Sequence, residues 1–126
     1  MFRLTVRDHI MVAHSLPHPA FGPAQQLHGA TFVVEMAISR AELGPEAIVM
    51  DIGEANGLLR DALADLDYTN LDAHPELSGV LTTTEALARL VAERVAVKLP
   101  VGIYSQLEVT LREHPDAWAS YTLDLL

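Results

Sequence analysis

Residues 2 to 16 alternate between two faces: Phe2, Leu4, Val6, Ile10, Val12, His14 and Leu16 on one, Arg3, Thr5, Arg7 and His9 on the other. A period of two is that of a half-buried strand. Asp8 interrupts the apolar face, which predicts a bulge or a nearby sheet edge. Pro17, Pro19, Gly22 and Pro23 predict a loop over residues 17–26. The alternation then resumes, with His28, Ala30, Phe32, Val34, Met36 and Ile38 on one face and Thr31 and Glu35 opposite. Two long strands around a short connection predict an antiparallel hairpin. The apolar run Ile48 to Ile52 reads as a third, short strand.

From residue 54 to residue 66 the spacing becomes helical: Ala55, Leu58, Leu59, Ala62, Leu63 and Leu66 recur at three- and four-residue intervals, with Arg60, Asp61 and Asp65 outside. A polar loop covers residues 67–81. Thr82 and Glu85 fit a capping box, which predicts a second helix running to about Lys98 with Leu87, Val91 and Val95 inward. Strands over residues 103–113 and 118–125 complete the chain. Strands, then a helix pair, then strands predict an α+β fold with both helices on one face of an antiparallel sheet.

At 126 residues this is a single domain spanning residues 1–126, small for a self-contained enzyme. Eight Lys and Arg against seventeen Asp and Glu give a formal charge of −9, which argues against nucleic acid as a partner because no basic face is available to displace counterions. With no cysteine, disulfides, thiolate metal sites and a cysteine nucleophile are excluded. No segment reaches the roughly 20 apolar residues of a membrane span, and none has signal-peptide character, so a cytoplasmic protein without membrane contact is expected.

His14 and His28 lie on the apolar parity of their strands, so both should point inward and, in a hairpin, lie close together. Two inward imidazoles on adjacent strands can begin a metal site. Core histidines bonded to backbone carbonyls account for the same pattern. Glu113 continues the inward register of Ile103, Leu107, Val109 and Leu111. A buried carboxylate there needs a partner or a ligand; a strand-end residue turned to solvent does not. Asp51 and Asp67, at element ends, suit local amide bonding. His9, His18 and His74 read as surface or loop residues, and His114 has the parity opposite to Glu113.

These segments resemble, in order, those of the 6-pyruvoyl-tetrahydropterin synthase and 6-carboxytetrahydropterin synthase family. Val12-Ala13-His14 with Leu16 is similar to the family's first-strand Ala-Ala-His-x-Leu, and His28-Gly29-Ala30 to its His-Gly-His. Val49 to Ile52 is similar to its strand ending in Asp-Phe, and Leu66-Asp67 with Asn70-Leu71 to its Leu-Asp-His-x-x-Leu. Thr83 to Ala88 resembles Thr-Ser-Glu-Asn-Leu-Ala, and Glu113, Pro115, Ala119 and Tyr121 resemble the closing Glu-Thr-Pro-x-x-x-Ala-x-Tyr.

The resemblance implies a tunnelling fold (T-fold), in which subunit sheets join into a barrel, as a trimer or a hexamer, with active sites between subunits. It implies zinc on three histidines, a cysteine that removes a proton with help from an Asp-His pair, and a glutamate that anchors a pterin ring. Carried onto this chain, the metal ligands are His14 and His28, with Ala30 where the third histidine stands. Ala24 falls at the cysteine. Asp67 and Tyr68 fall at the Asp-His pair and are the candidate catalytic residues. Glu113, as ring anchor, and Thr83 are the candidate substrate-binding residues. Zinc is then a possible cofactor with its third ligand unidentified, His114, His74 and His9 being the spare imidazoles. The implied function is a metal-dependent, lyase-type enzyme acting on a pterin-like heterocycle by other than the usual dihydroneopterin triphosphate reaction. The alternative is a non-catalytic oligomer that binds a pterin- or purine-like ligand.

Overall fold

The computed structural model describes residues 1–126. Strand β1 spans Phe2–His14 and β2 spans His28–Arg40. Helix α1 covers Ile52–Leu63, the short β3 covers Thr69–Asn70, and α2 covers Thr84–Ala96. β4, Gln106–His114, and β5, Ala117–Asp124, close the chain. The sheet order is β3-β1-β2-β4-β5, antiparallel except for the brief parallel pairing of β3 with β1. Both helices pack on one face, α1 against β1 and α2 against β4 and β5, which is the expected α+β arrangement.

The hairpin pairs without interruption from Phe2↔Arg40 to His14↔His28. Alternation sets which face is buried: Val6, Ile10, Val12 and His14 of β1 meet Phe32, Val34, Met36 and Ile38 of β2 under the helices. Leu107, Val109 and Leu111 of β4 continue the same layer, as do Leu59 and Leu63 of α1 and Leu87, Val91 and Val95 of α2. The opposite face carries the polar residues, where Glu35 pairs with both Arg112 and Arg7, and the Arg112 guanidinium lies 3.9 Å from the Trp118 ring centre. Asp8 causes no bulge. It pairs in register with Val34 and meets Arg60 at 3.4 Å along the edge of the sheet, since β3 covers β1 only at Val12 and Ala13.

Two local expectations are corrected. Ile48 to Ile52 is not a strand: the Asp51 carboxylate accepts the Glu54 amide at 2.9 Å and starts α1 at Ile52, while Val49 and Met50 are buried as loop residues. The cap of α2 is Thr83 rather than Thr82. The Thr83 hydroxyl accepts the Ala86 amide at 3.1 Å, and Glu85 accepts a hydrogen bond from the Thr84 hydroxyl instead of closing a box. The one-residue offset sends Thr82 into the interior, where it is 1% exposed.

Candidate functional site

The hairpin register places His14 and His28 opposite each other as Cα partners, with ring centroids 4.6 Å apart. His14 is 1% exposed and also meets the Phe32 ring edge-on. Its Nδ1 lies 2.9 Å from the Thr82 hydroxyl. Its Nε2 is the one buried side-chain polar atom of the chain without a hydrogen-bond partner. His28 Nδ1 donates to the Gln26 carbonyl at 2.8 Å, and its Nε2 makes no hydrogen bond within the chain. Burial, and after it the neighbouring His28, hold the His14 imidazole below its ordinary value, so it is neutral at neutral pH.

Glu113 meets this pair from β4. The β2–β4 ladder ends at Val33↔Arg112, and the β4–β5 register shifts between Arg112 and His114. Such an extra residue re-aims a side chain, and Glu113 Oε1 comes to 3.9 Å from His14 Nε2 with the side chain still 46% exposed. One donor atom from each of His14, His28 and Glu113 falls within 4.8 Å of the others. Two imidazoles and a carboxylate match the donor set of a catalytic zinc site, so the residues present fit the metal that the resemblance implies. Glu113 also borders an open cleft of about 420 Å³ together with Thr84, Glu85, His114, Ala117, Trp118 and Ala119.

The other candidates lie elsewhere. Asp67 accepts the Met11 amide at 2.9 Å and is 3.3 Å from the Arg60 guanidinium. Tyr68 is 79% exposed and held at φ 56, with its amide donating to the Met11 carbonyl at 2.7 Å. Both therefore sit on the side of β1 away from β2 and Glu113. Thr83 serves as the α2 cap, and it is Thr84 that borders the cleft. Of the spare imidazoles, His74 bonds Asp65 at 3.0 Å, while His9 and His114 are exposed. None joins the His14–His28 pair. Thr82, 68 positions from its partner in the chain, is the site residue that sequence reading missed; its only signal was an apparent helix cap.

A five-stranded sheet with two helices on one face and a histidine pair at the end of its first hairpin defines a tunnelling-fold chain of the pterin-synthase type. The chain belongs to the 6-pyruvoyl tetrahydropterin synthase family, whose model matches residues 3–124. It is 25% identical to 6-carboxy-5,6,7,8-tetrahydropterin synthase of Bacillus subtilis over 126 residues, covering 95% of this chain and 84% of the relative. It is 30% identical to 6-pyruvoyl tetrahydrobiopterin synthase of Dictyostelium discoideum over 103 residues, covering 80% and 74%. The fold superposes on 6-pyruvoyl tetrahydropterin synthase of Caenorhabditis elegans with a TM-score of 0.83 at 21% identity, covering 98% and 96% of the two chains.

Proposed function

We propose that this chain is a metal-dependent enzyme of lyase type acting on a pterin-like heterocycle, with zinc held by His14 and His28. The observation that carries this reading is the paired imidazoles: both Nδ1 atoms are hydrogen-bonded, and the buried Nε2 of His14 has no partner in the chain. In the family's frame, that is the state of ligands awaiting a cation. A zinc ion bound there would act as a Lewis acid on a substrate oxygen.

The cleft beside Glu113, bordered by Thr84, Glu85 and Ala117, is the place for a planar ring. Proton transfer needs another source than the family's usual one, because Ala24 and Tyr68 replace the cysteine and the histidine. Losing a positioned base costs about a hundred- to ten-thousand-fold in rate. Tyr68 is the remaining proton donor, and Asp67, tied to Met11 and Arg60, positions its loop. Tyr68 occupies a left-handed backbone conformation that a non-glycine residue keeps only when its surroundings enforce it. Because it lies across β1 from the histidines, its role requires a neighbouring subunit. Self-association as a trimer or hexamer through the uncovered edges of β1 and β5 would supply one.

Zinc analysis of protein purified without a metal-affinity tag tests the reading. Near-stoichiometric zinc, lost in His14→Ala, is expected. So is the absence of 6-pyruvoyl-tetrahydropterin formation from dihydroneopterin triphosphate; robust turnover would overturn the account of Ala24 and Tyr68. Pterin binding without metal would instead favour the binding-only alternative, which the loss of the cysteine and histidine supports.

A further inference from the structure

We infer that Glu113 is itself a metal ligand, completing a set of two histidines and one carboxylate in place of a third imidazole. This rests on the metal reading of the His14–His28 pair and adds its third donor. The carboxylate differs from three others that meet the sheet and the helices. Glu35 is neutralised by Arg112 and Arg7, Asp65 by Arg94, and Asp67 by Arg60. Glu113 makes no hydrogen bond within the chain, and its one ionic contact is with His14. The adjacent Arg112 cannot neutralise it, because alternation turns that guanidinium to the opposite face, where Glu35 and Trp118 hold it.

A carboxylate that faces two imidazoles with tied Nδ1 atoms has no Lys or Arg within ion-pair distance. A divalent cation among the three donors satisfies all of them. Donors about 2.0–2.1 Å from a tetrahedral zinc lie roughly 3.3 Å apart. The His14 Nε2 to Glu113 Oε1 separation of 3.9 Å is close to that value, and Glu113 lies at a register shift near the end of β4, outside the β2–β4 ladder. The half-exposed carboxylate also borders the cleft with Thr84 and His114, so the donor set is reachable from solvent on the Glu113 side. Glu113 therefore contributes to the metal rather than solely to the heterocycle.

The test is titration of metal-stripped protein with zinc and with cobalt(II), whose absorption bands report the ligand set, in wild type, Glu113→Gln and Glu113→Asp. Loss of a ligand is expected to weaken zinc binding by more than the roughly 10- to 100-fold typical of an outer-shell partner. Glu113→Gln should do this and shift the cobalt bands, while Glu113→Asp should keep the wild-type band pattern at intermediate affinity. Unchanged melting of the metal-free variants would show that the fold is intact. Zinc affinity within about threefold of wild type in Glu113→Gln, with unchanged cobalt bands, would overturn the inference and leave the histidine pair standing as a metal site. No metal uptake by wild type would overturn the histidine reading as well.

Discussion

Ile10 and Phe32 face each other across β1 and β2, and four positions nearer the connecting loop His14 and His28 do the same. Both pairs point to the helices, and Ile10, Phe32 and His14 are all 1% exposed or less. Their chemistry differs. The middle pair is buried in the apolar layer and carries no polar group, although the Phe32 ring also meets His14 edge-on. The terminal pair includes an imidazole nitrogen that the chain leaves without a partner, at a cost of about 1–3 kcal/mol when nothing occupies it. A site is thus made by changing the last inward positions of an otherwise ordinary sheet, with the rigid hairpin setting the geometry.

Removing the middle of the layer should cost most. Phe32→Ala is expected to lower stability by about 3–5 kcal/mol, measured by chemical denaturation. A loss under about 1 kcal/mol would mean that this part of the core repacks freely.

The terminal pair should respond in affinity instead. Thr82→Val deprives His14 Nδ1 of its partner and should weaken zinc binding about 10- to 100-fold in a competition titration, with a smaller change in folding stability. Replacing both polar groups, in His14→Leu/Thr82→Val, should abolish metal binding and leave the metal-free protein at least as stable as wild type, because no buried polar atom is orphaned. A large loss of stability in the double variant would break the contrast between the two pairs.

The opposite face gives the smallest effect. Hydrogen bonding from Arg112 is the main cause that holds the Glu35 carboxyl below its ordinary value, with burial acting against it. Glu35→Gln should cost about 1–2 kcal/mol at neutral pH. The sign follows from the depressed value: the contribution is present above the ordinary carboxylate range and is lost as pH falls through the lowered one. Wild type and variant should therefore converge in acid, and a gap that persists there would assign the loss to packing.

Much of this layout was legible along the chain because alternation and helical spacing are local. The long strands, the inward parity of His14 and His28 and the two helices all follow from which residues must avoid water. Asp51 was readable as a group that bonds a nearby amide and does so at the start of α1, whereas Asp67 bonds the amide of Met11, 56 positions away. The short apolar run at Ile48 misled because a buried loop and a buried strand have the same composition.

The chain by itself thus determined the α+β frame and the rung on which the histidines stand. Only the tertiary structure decided what surrounds them. Whether Thr82 or Thr83 caps α2 is a choice between adjacent hydroxyls, settled by which one the packed helix turns toward His14. Whether Glu113 faces solvent or the histidines depends on a one-residue shift beside Arg112. Both are one-residue displacements, one decided by packing against a distant strand and the other by the pairing of β4 with β5, and no periodicity in the chain records them.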